Sequence, residues 1–359
     1  MKHNKNSVNR ANSKKKNNTT IDYDIEVPLT LAGESESLDA DGNVLRRSRR
    51  YSMQAGKVGR QNAAVIQALL GILKNHKIKA LPRIKAPKKS LRDLAVVYVL
   101  GDPHVGMYAW GQESGADFDL KIAERDLCVA IMDLIERSPA GEEALLVNLG
   151  DFFHMDNTRN MTERSGNILD ADTRWPHVLQ VGLRIEEFMV NELLKKHKHV
   201  TVINEIGNHD THSTFMLMNY MNAVFRNNPR VTIDMSPMHH HYWHFGQTLI
   251  GVTHGDMTRM EKCPEVMSTQ QRELWGNTRY HYWYTGHVHH HSAIEAGGAT
   301  VESFRTLAPK DAWHAASGYQ AGRDAQAIVL HREYGEIERR GADIALVHAL
   351  AAKRGLKFE

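Results

Sequence analysis

The chain has 359 residues, of which 42% are apolar and 24% charged, enough for one large α/β domain or two smaller ones with a real core. No run approaches the ~20 apolar residues of a membrane span, and the polar N-terminus lacks the apolar segment of a secretory signal. Two cysteines, Cys128 and Cys263, are too few and too far apart for a disulfide framework, so the expected location is the cytoplasm, or the host cytoplasm if the chain is phage-encoded.

Along the chain the net charge of +3 is unevenly spread. Residues 1–92 hold twenty Lys and Arg against seven acids, a surplus of thirteen. The remainder therefore carries ten more acids than bases. A basic arm joined to an acidic body suits a polyanionic partner on one side and bound divalent cations on the other. Residues 1–43 have little apolar periodicity and read as a disordered basic and polar tail. Residues 44–92 read as a basic arm. It contains one short helix over Asn62–His76, with Val65, Ile66, Leu69, Leu70 and Leu73 on one stripe, and a Pro- and Lys-rich linker over Lys79–Ser90.

From residue 93 the pattern alternates. "LAVVYVL" (Leu94–Leu100) predicts a buried strand, Asp119–Arg137 an amphipathic helix, and "ALLVNLG" (Ala144–Gly150) a second strand. A long helix is expected near Pro176–Lys196, a third strand over Val200–Gly207, and a helix over "TFMLMNYMNAVFRN". Strands then follow in "RVTID", "YWHFG", "TLIGVTHG", "RYHYWYTGH" and "AQAIVLHREYG". This gives a βαβαβ first half and a β-rich second half. The α/β body is expected over 93–345, with 346–359 a C-terminal tail.

Ligand-type residues gather at five strand ends. These are "GDPHVG" with Asp102 and His104, "LGDFFHMD" with Asp151, His154 and Asp156, and "IGNHD" with Asn208, His209 and Asp210. "VTHGD" follows with His254 and Asp256, and "YTGHVHHH" with His287, His289, His290 and His291. Any one could be a turn, since Gly and Pro punctuate and Asp caps. Five in succession, where α/β folds put their ligands, point to metal. A two-metal site needs a carboxylate that bridges both ions, and Asp151 is the candidate. Imidazoles and an amide oxygen complete the shells with little added charge. Two cations about 3.5–4 Å apart can share a water, lower its pKa, and clamp the attacking and leaving oxygens of phosphoryl transfer. The G-H-x-H spacing on a strand would put His287 and His289 on one face, one for each ion.

The series D-x-H, GD-x-x-H, GNHD, H-G, GH-x-H resembles the calcineurin-like metallophosphoesterase superfamily, over roughly Leu94–His291. The resemblance implies two mixed β-sheets packed as a sandwich flanked by helices, a four-layer α/β fold, here with a basic N-terminal extension. It implies one divalent metal on Asp102, His104, Asp151 and His289, and a second on Asp151, Asn208, His254 and His287. Manganese is the expected metal; iron, zinc or nickel also suits such donors. His209 would be the catalytic histidine beside the leaving group, oriented by Asp210. The form "GDFFH" is similar to the DNA double-strand-break repair nucleases of the superfamily, which implies that His154 orients the DNA phosphate. "DLKIAERDL", "RSGNILDAD" and "WYTGHVHHHS" resemble phage-encoded exonuclease-like members. About 70 residues follow His291, too few for the capping and partner-binding regions of the repair enzymes, which puts dependence on a partner ATPase in doubt.

Three functions compete. A nuclease would cleave DNA phosphodiesters, its backbone gripped by the basic arm. A small-molecule phosphatase or cyclic-nucleotide phosphodiesterase would use the same metals. A binding protein with a vestigial centre is disfavoured because no ligand position is missing. Several other residues have a bland alternative. Asp156 could cap the next segment, and Asp256 could support a ligand or sit in a turn. His290 and His291 read as rim residues. The run His239–His244 reads as surface packing at a strand start without a carboxylate. Arg305, Lys310, Trp313, His314 and Arg323 in a Gly-rich loop suit either base stacking and phosphate contact or loop packing. Oligomeric state is not encoded legibly.

Overall fold

The structure, a computed structural model, describes residues 30–38, 44–52, 84–162, 165–318 and 320–355. The chain divides into two compact units, 1–75 and 76–359. In the first, strands β1 (Thr30–Leu38) and β2 (Val44–Ser52) pair antiparallel, with Thr30 opposite Ser52. This pair crosses the boundary expected at residue 43. The helix expected over Asn62–His76 lies outside the described residues.

In the second unit a six-stranded sheet is built from β3 (Leu91–Leu100), β4 (Gly141–Asn148), β5 (His199–Asn204), β6 (Val231–Ile233), β12 (Asp324–His331) and β13 (Gly335–Asp343), in the order β13-β12-β3-β4-β5-β6. β3 to β6 run parallel, and β12 and β13 are antiparallel additions at one side. β3 begins at Leu91, so the body starts slightly before the expected residue 93. The second sheet takes β7 (His241–Phe245), β8 (Thr248–Val252), β9 (Tyr280–Thr285), β10 (Ser292–Ala296) and β11 (Ala299–Ser303), in the order β10-β11-β9-β8-β7. It too is mixed, with β8, β9 and β11 parallel.

Alternation along β3 explains the layering. Ala95, Val97 and Val99 join Leu145, Val147, Ile203, Ile328 and Leu330 of the same sheet and face Trp243, Phe245, Ile250, Val252 and Tyr284 of the other. Val96 and Tyr98 point the opposite way and are equally buried, because helices cover that face. The helix Leu120–Arg137 starts where the Asp119 carboxylate accepts from the Ile122 N–H at 2.7 Å, and it packs beside the helix Trp175–Lys196. On the far side of the second sheet, Cys263 and Met267 of the helix Cys263–Gln270 meet Leu249, Trp283 and Val301. The result is helix, sheet, sheet, helix: the four-layer α/β arrangement.

Of the stretch expected as a C-terminal tail, residues 346–355 are described. Ile344–Arg354 is a helix, capped by the Asp343 carboxylate on the Ala345 N–H, with Val347 and Ala351 buried. Its two buried residues, at i and i+4, lie on the face packed against the helix Leu120–Arg137, a tertiary contact that eleven residues of sequence do not announce. No helix among the described residues is long and apolar enough to cross a membrane.

Candidate metal centre

β3, β4 and β5 are parallel, so their carboxyl ends open at one edge of the sheet. β8 and β9 end at the same place from the other sheet. The two sets are tied directly: the Leu149 carbonyl accepts from His254 Nδ1 at 2.9 Å, and the His287 N–H donates to both Asp102 oxygens at 2.9 and 3.1 Å. His287 and His289 stand on the loop after β9, not on the strand itself, in left-handed backbone.

Three side-chain groups could each hold an ion. Asp102, His104 and His289 form one, with His104 Nε2 and His289 Nε2 3.0 Å apart. Asp151, His254 and His287 form another, with His254 Nε2 3.3 Å from Asp151 Oδ2 and 3.0 Å from Asn208 Oδ1. His104, His154 and His209 form the third. All seven expected metal ligands and both expected catalytic histidines thus lie in these groups or touch them.

Donor chemistry tests the fit. Because Nδ1 of His254 donates to a carbonyl, its Nε2 in the neutral ring is a bare lone pair aimed at a carboxylate and an amide oxygen. Three acceptors converging on one point need a proton or a cation there. Burial opposes a proton on this ring, but Asp151 outweighs it and holds the His254 pKa well above the usual value. Burial, and then the neighbouring His289 charge, push His104 well below it. Burial and His209 lower His154 to about 3. Burial and His254 lower His287. These imidazoles are neutral and free to ligate. Burial, against the pull of His254 and with the added push of Asp151, raises Asp102 to about 8. Ionising this buried carboxyl would call for positive charge beside it.

Backbone strain marks the same residues. Among the described residues, six other than glycine have positive φ, and five are expected ligands: Asp102 (42°), His104 (45°), Asp151 (49°), His287 (68°) and His289 (57°). The glycines of the motifs serve close approach. A Cβ on Gly207 would stand 2.0 Å from Asp151 Oδ1, and one on Gly286 2.6 Å from Asp102 Oδ2.

Asp210 does not orient His209. Its carboxylate is fully buried and accepts from the N–H groups of Gly207 and Phe153, both at 3.0 Å. It shapes two ligand loops, where it satisfies backbone donors that would otherwise be orphaned. His209 is instead held by the His154 carbonyl, which accepts from Nδ1 at 2.9 Å and leaves Nε2 4.0 Å from Asp151 Oδ2. A backbone carbonyl carries no sequence signal. Nor did sequence reveal Thr306, whose hydroxyl donates to the Asp102 carbonyl at 2.6 Å.

Asp156 caps: it accepts from the N–H groups of His212 and Ser213 at the start of the helix Thr211–Phe225. His290 bonds to the Val288 carbonyl and His291 to Glu302, both away from the ligand groups. His241 departs from expectation. Its side chain is fully buried, and carboxylates do reach it, Asp234 at 2.8 Å and Glu205 at 3.1 Å.

No protein-family model matches the chain, and no curated protein does. Among solved structures, the chain is similar to a protein of Streptococcus pneumoniae described as a predicted phosphoesterase (10% identity, TM-score 0.28, covering 70% of this chain and 99% of that one). It is also similar to Vps29 of Entamoeba histolytica in complex with zinc (12%, 0.26, 69% and 99%). A third is the sulfate thiohydrolase SoxB of Thermus thermophilus in complex with glycerol (10%, 0.31, 75% and 61%).

Proposed function

We propose that the chain is a dinuclear-metal phosphoesterase that hydrolyses phosphodiester bonds, and that DNA is its substrate, cleaved as by a nuclease. The observation that carries this reading is the convergence of Asp102, His104 and His289 beside Asp151, His254 and His287, with Asn208 on His254. Asp151 would be the residue shared by the two ions: its Oδ2 lies 3.3 Å from His254 Nε2, and the His209 N–H, donating to Oδ1 at 2.8 Å, holds the carboxylate in place. Two divalent cations, manganese first among the candidates, would supply an acidified water and neutralise charge on the phosphoryl group.

The chain's own residues do the rest. His209, fixed at Nδ1, presents Nε2 to the site; with the ring doubly protonated, the Nε2 proton could pass to the departing oxygen, leaving the neutral ring still donating through Nδ1. His154 Nδ1 lies 3.3 Å from His104 Nδ1. If His104 ligates through Nε2, its Nδ1–H donates to His154, whose own proton then sits on Nε2. That Nε2 is buried with no hydrogen-bond partner, which supports its use as a donor to a phosphate oxygen. The basic residues crowded into positions 1–92 would grip the DNA backbone.

A paired assay with added Mn²⁺ tests this, using linear duplex DNA and bis(p-nitrophenyl) phosphate. Hydrolysis of both is expected. Turnover of the small diester alone would assign a small-molecule phosphodiesterase, and turnover of neither would overturn the reading.

A further inference from the structure

Beside His289 the loop residues 306, 308–310 and 321–323 meet the segment 114–116 and leave a cleft of about 260 Å³. Ala116, Val288, Ala308 and Pro309 give it apolar walls. The hydroxyls on its edge are engaged within the fold: Ser114 Oγ lies 3.0 Å from the carbonyl oxygens of Trp110 and Ala116, and Thr306 donates to the Asp102 carbonyl. Two cations also line it, Lys310 and Arg323. The third basic side chain of this loop, Arg305, is neutralised by Asp324 at 2.8 Å. Arg323, by contrast, gives its Nε and one terminal nitrogen to the Leu307 carbonyl. Among the described residues neither Arg323 nor Lys310 has a carboxylate within ion-pair distance.

Arg323 feels Asp126 and Asp343 only from beyond ion-pair distance, and a half-buried cation with no carboxylate in contact can still gain from a bound anion. The walls favour a flat apolar ring system, and the volume suits one nucleoside rather than a large ligand. We propose that this cleft binds the nucleoside next to the scissile phosphate, with Lys310 and Arg323 holding that nucleoside's further phosphate. This rests on the phosphodiesterase reading of the metal centre. It narrows the substrate class to oligonucleotides, because a simple phosphomonoester leaves both cations unanswered.

The full chain, with metal chelated, is titrated with thymidylyl-thymidine and with the same dinucleotide phosphorylated at both ends. The doubly phosphorylated probe should bind about tenfold more tightly, the scale of one charge-assisted contact. Lys310→Gln should bring that ratio close to one, and Arg323→Gln should lower it as well. Among the described residues Lys310 makes no hydrogen bond or ion pair, so its variant keeps the test valid if Arg323→Gln unfolds. A ratio of one in the unaltered chain, or an unchanged ratio in Lys310→Gln, overturns the subsite. Hydrolysis of bis(p-nitrophenyl) phosphate with Mn²⁺ reports on the reaction separately. If binding selectivity shifts as expected while that hydrolysis is absent, the nucleotide subsite is supported and the phosphodiesterase reading falls.

Discussion

Two histidine-rich stretches of similar composition do opposite things. At 287–291 the ligating rings meet other rings: His289 faces His104 nitrogen to nitrogen, and His254 stacks edge-on against His287. At 239–244, His241 meets oxygens, with Asp234 on one nitrogen and Glu205 on the other. Against the cost of burial these two carboxylates raise the His241 pKa to about 9. The second cluster sets one imidazole between two carboxylates that supply its counter-charge. The first sets ring nitrogens against one another beside the buried Asp102 and Asp151, a donor set that could also take an ion. What distinguishes a metal site from a brace is therefore what the nitrogens see, and a count of histidines does not reveal it.

The sharpest way to break this contrast is at Asp151. Asp151→Asn should lose both metals by elemental analysis and abolish turnover while circular dichroism stays native. An active variant with two metals per chain would remove Asp151 from the centre. His209→Ala should next cost ~10²–10⁴-fold in turnover with the metals kept. The loss should shrink for a nitrophenyl ester, whose leaving oxygen needs little protonation; an equal loss would exclude His209 as the acid.

In the other cluster the expected effect is on stability. His241 has a folded pKa above its unfolded value of 6.5. Its contribution is thus complete below pH ~6.5 and fades as pH rises through about 9, with a ceiling of order 3 kcal/mol. His241→Gln should lower urea-unfolding stability at pH 6, converge on the parent near pH 9 to 10, and leave metal content alone. A pH-independent difference would show that packing, and not the charge pair, holds this corner. The smallest effect concerns the arm. Deleting residues 1–75, which spares β3, should weaken DNA binding and flatten its salt dependence while bis(p-nitrophenyl) phosphate hydrolysis persists. Equal DNA affinity at two salt concentrations would detach the arm from the substrate.

Most strands from Leu94 to Val252 were legible because they are short apolar runs ended by Gly or an expected ligand, Val231–Ile233 being an exception that runs into Asp234. The β10–β11 hairpin and the helices Cys263–Gln270 and Ile344–Arg354 were not, since their apolar faces are short and made by tertiary contact. At the site, Asp102, Asp151 and His254 announced themselves by following strands. The true partner of His209 could not, being a main-chain oxygen. Glu205 was equally hidden from His241, because β5 and β7 belong to different sheets.

The left-handed backbone at five ligand positions carries an evolutionary tension. Each such angle costs of order 1–3 kcal/mol, and bound metal offsets that cost only in the folded state. With metal chelated, the fold is better served by other residues at these points. His289→Asn, which tolerates φ near 57° and removes a ring nitrogen facing His104, should raise the melting temperature of the stripped protein while weakening metal binding. On the proposed metal reading, stability alone would disfavour all five strained positions, and a bound ion would offset that cost.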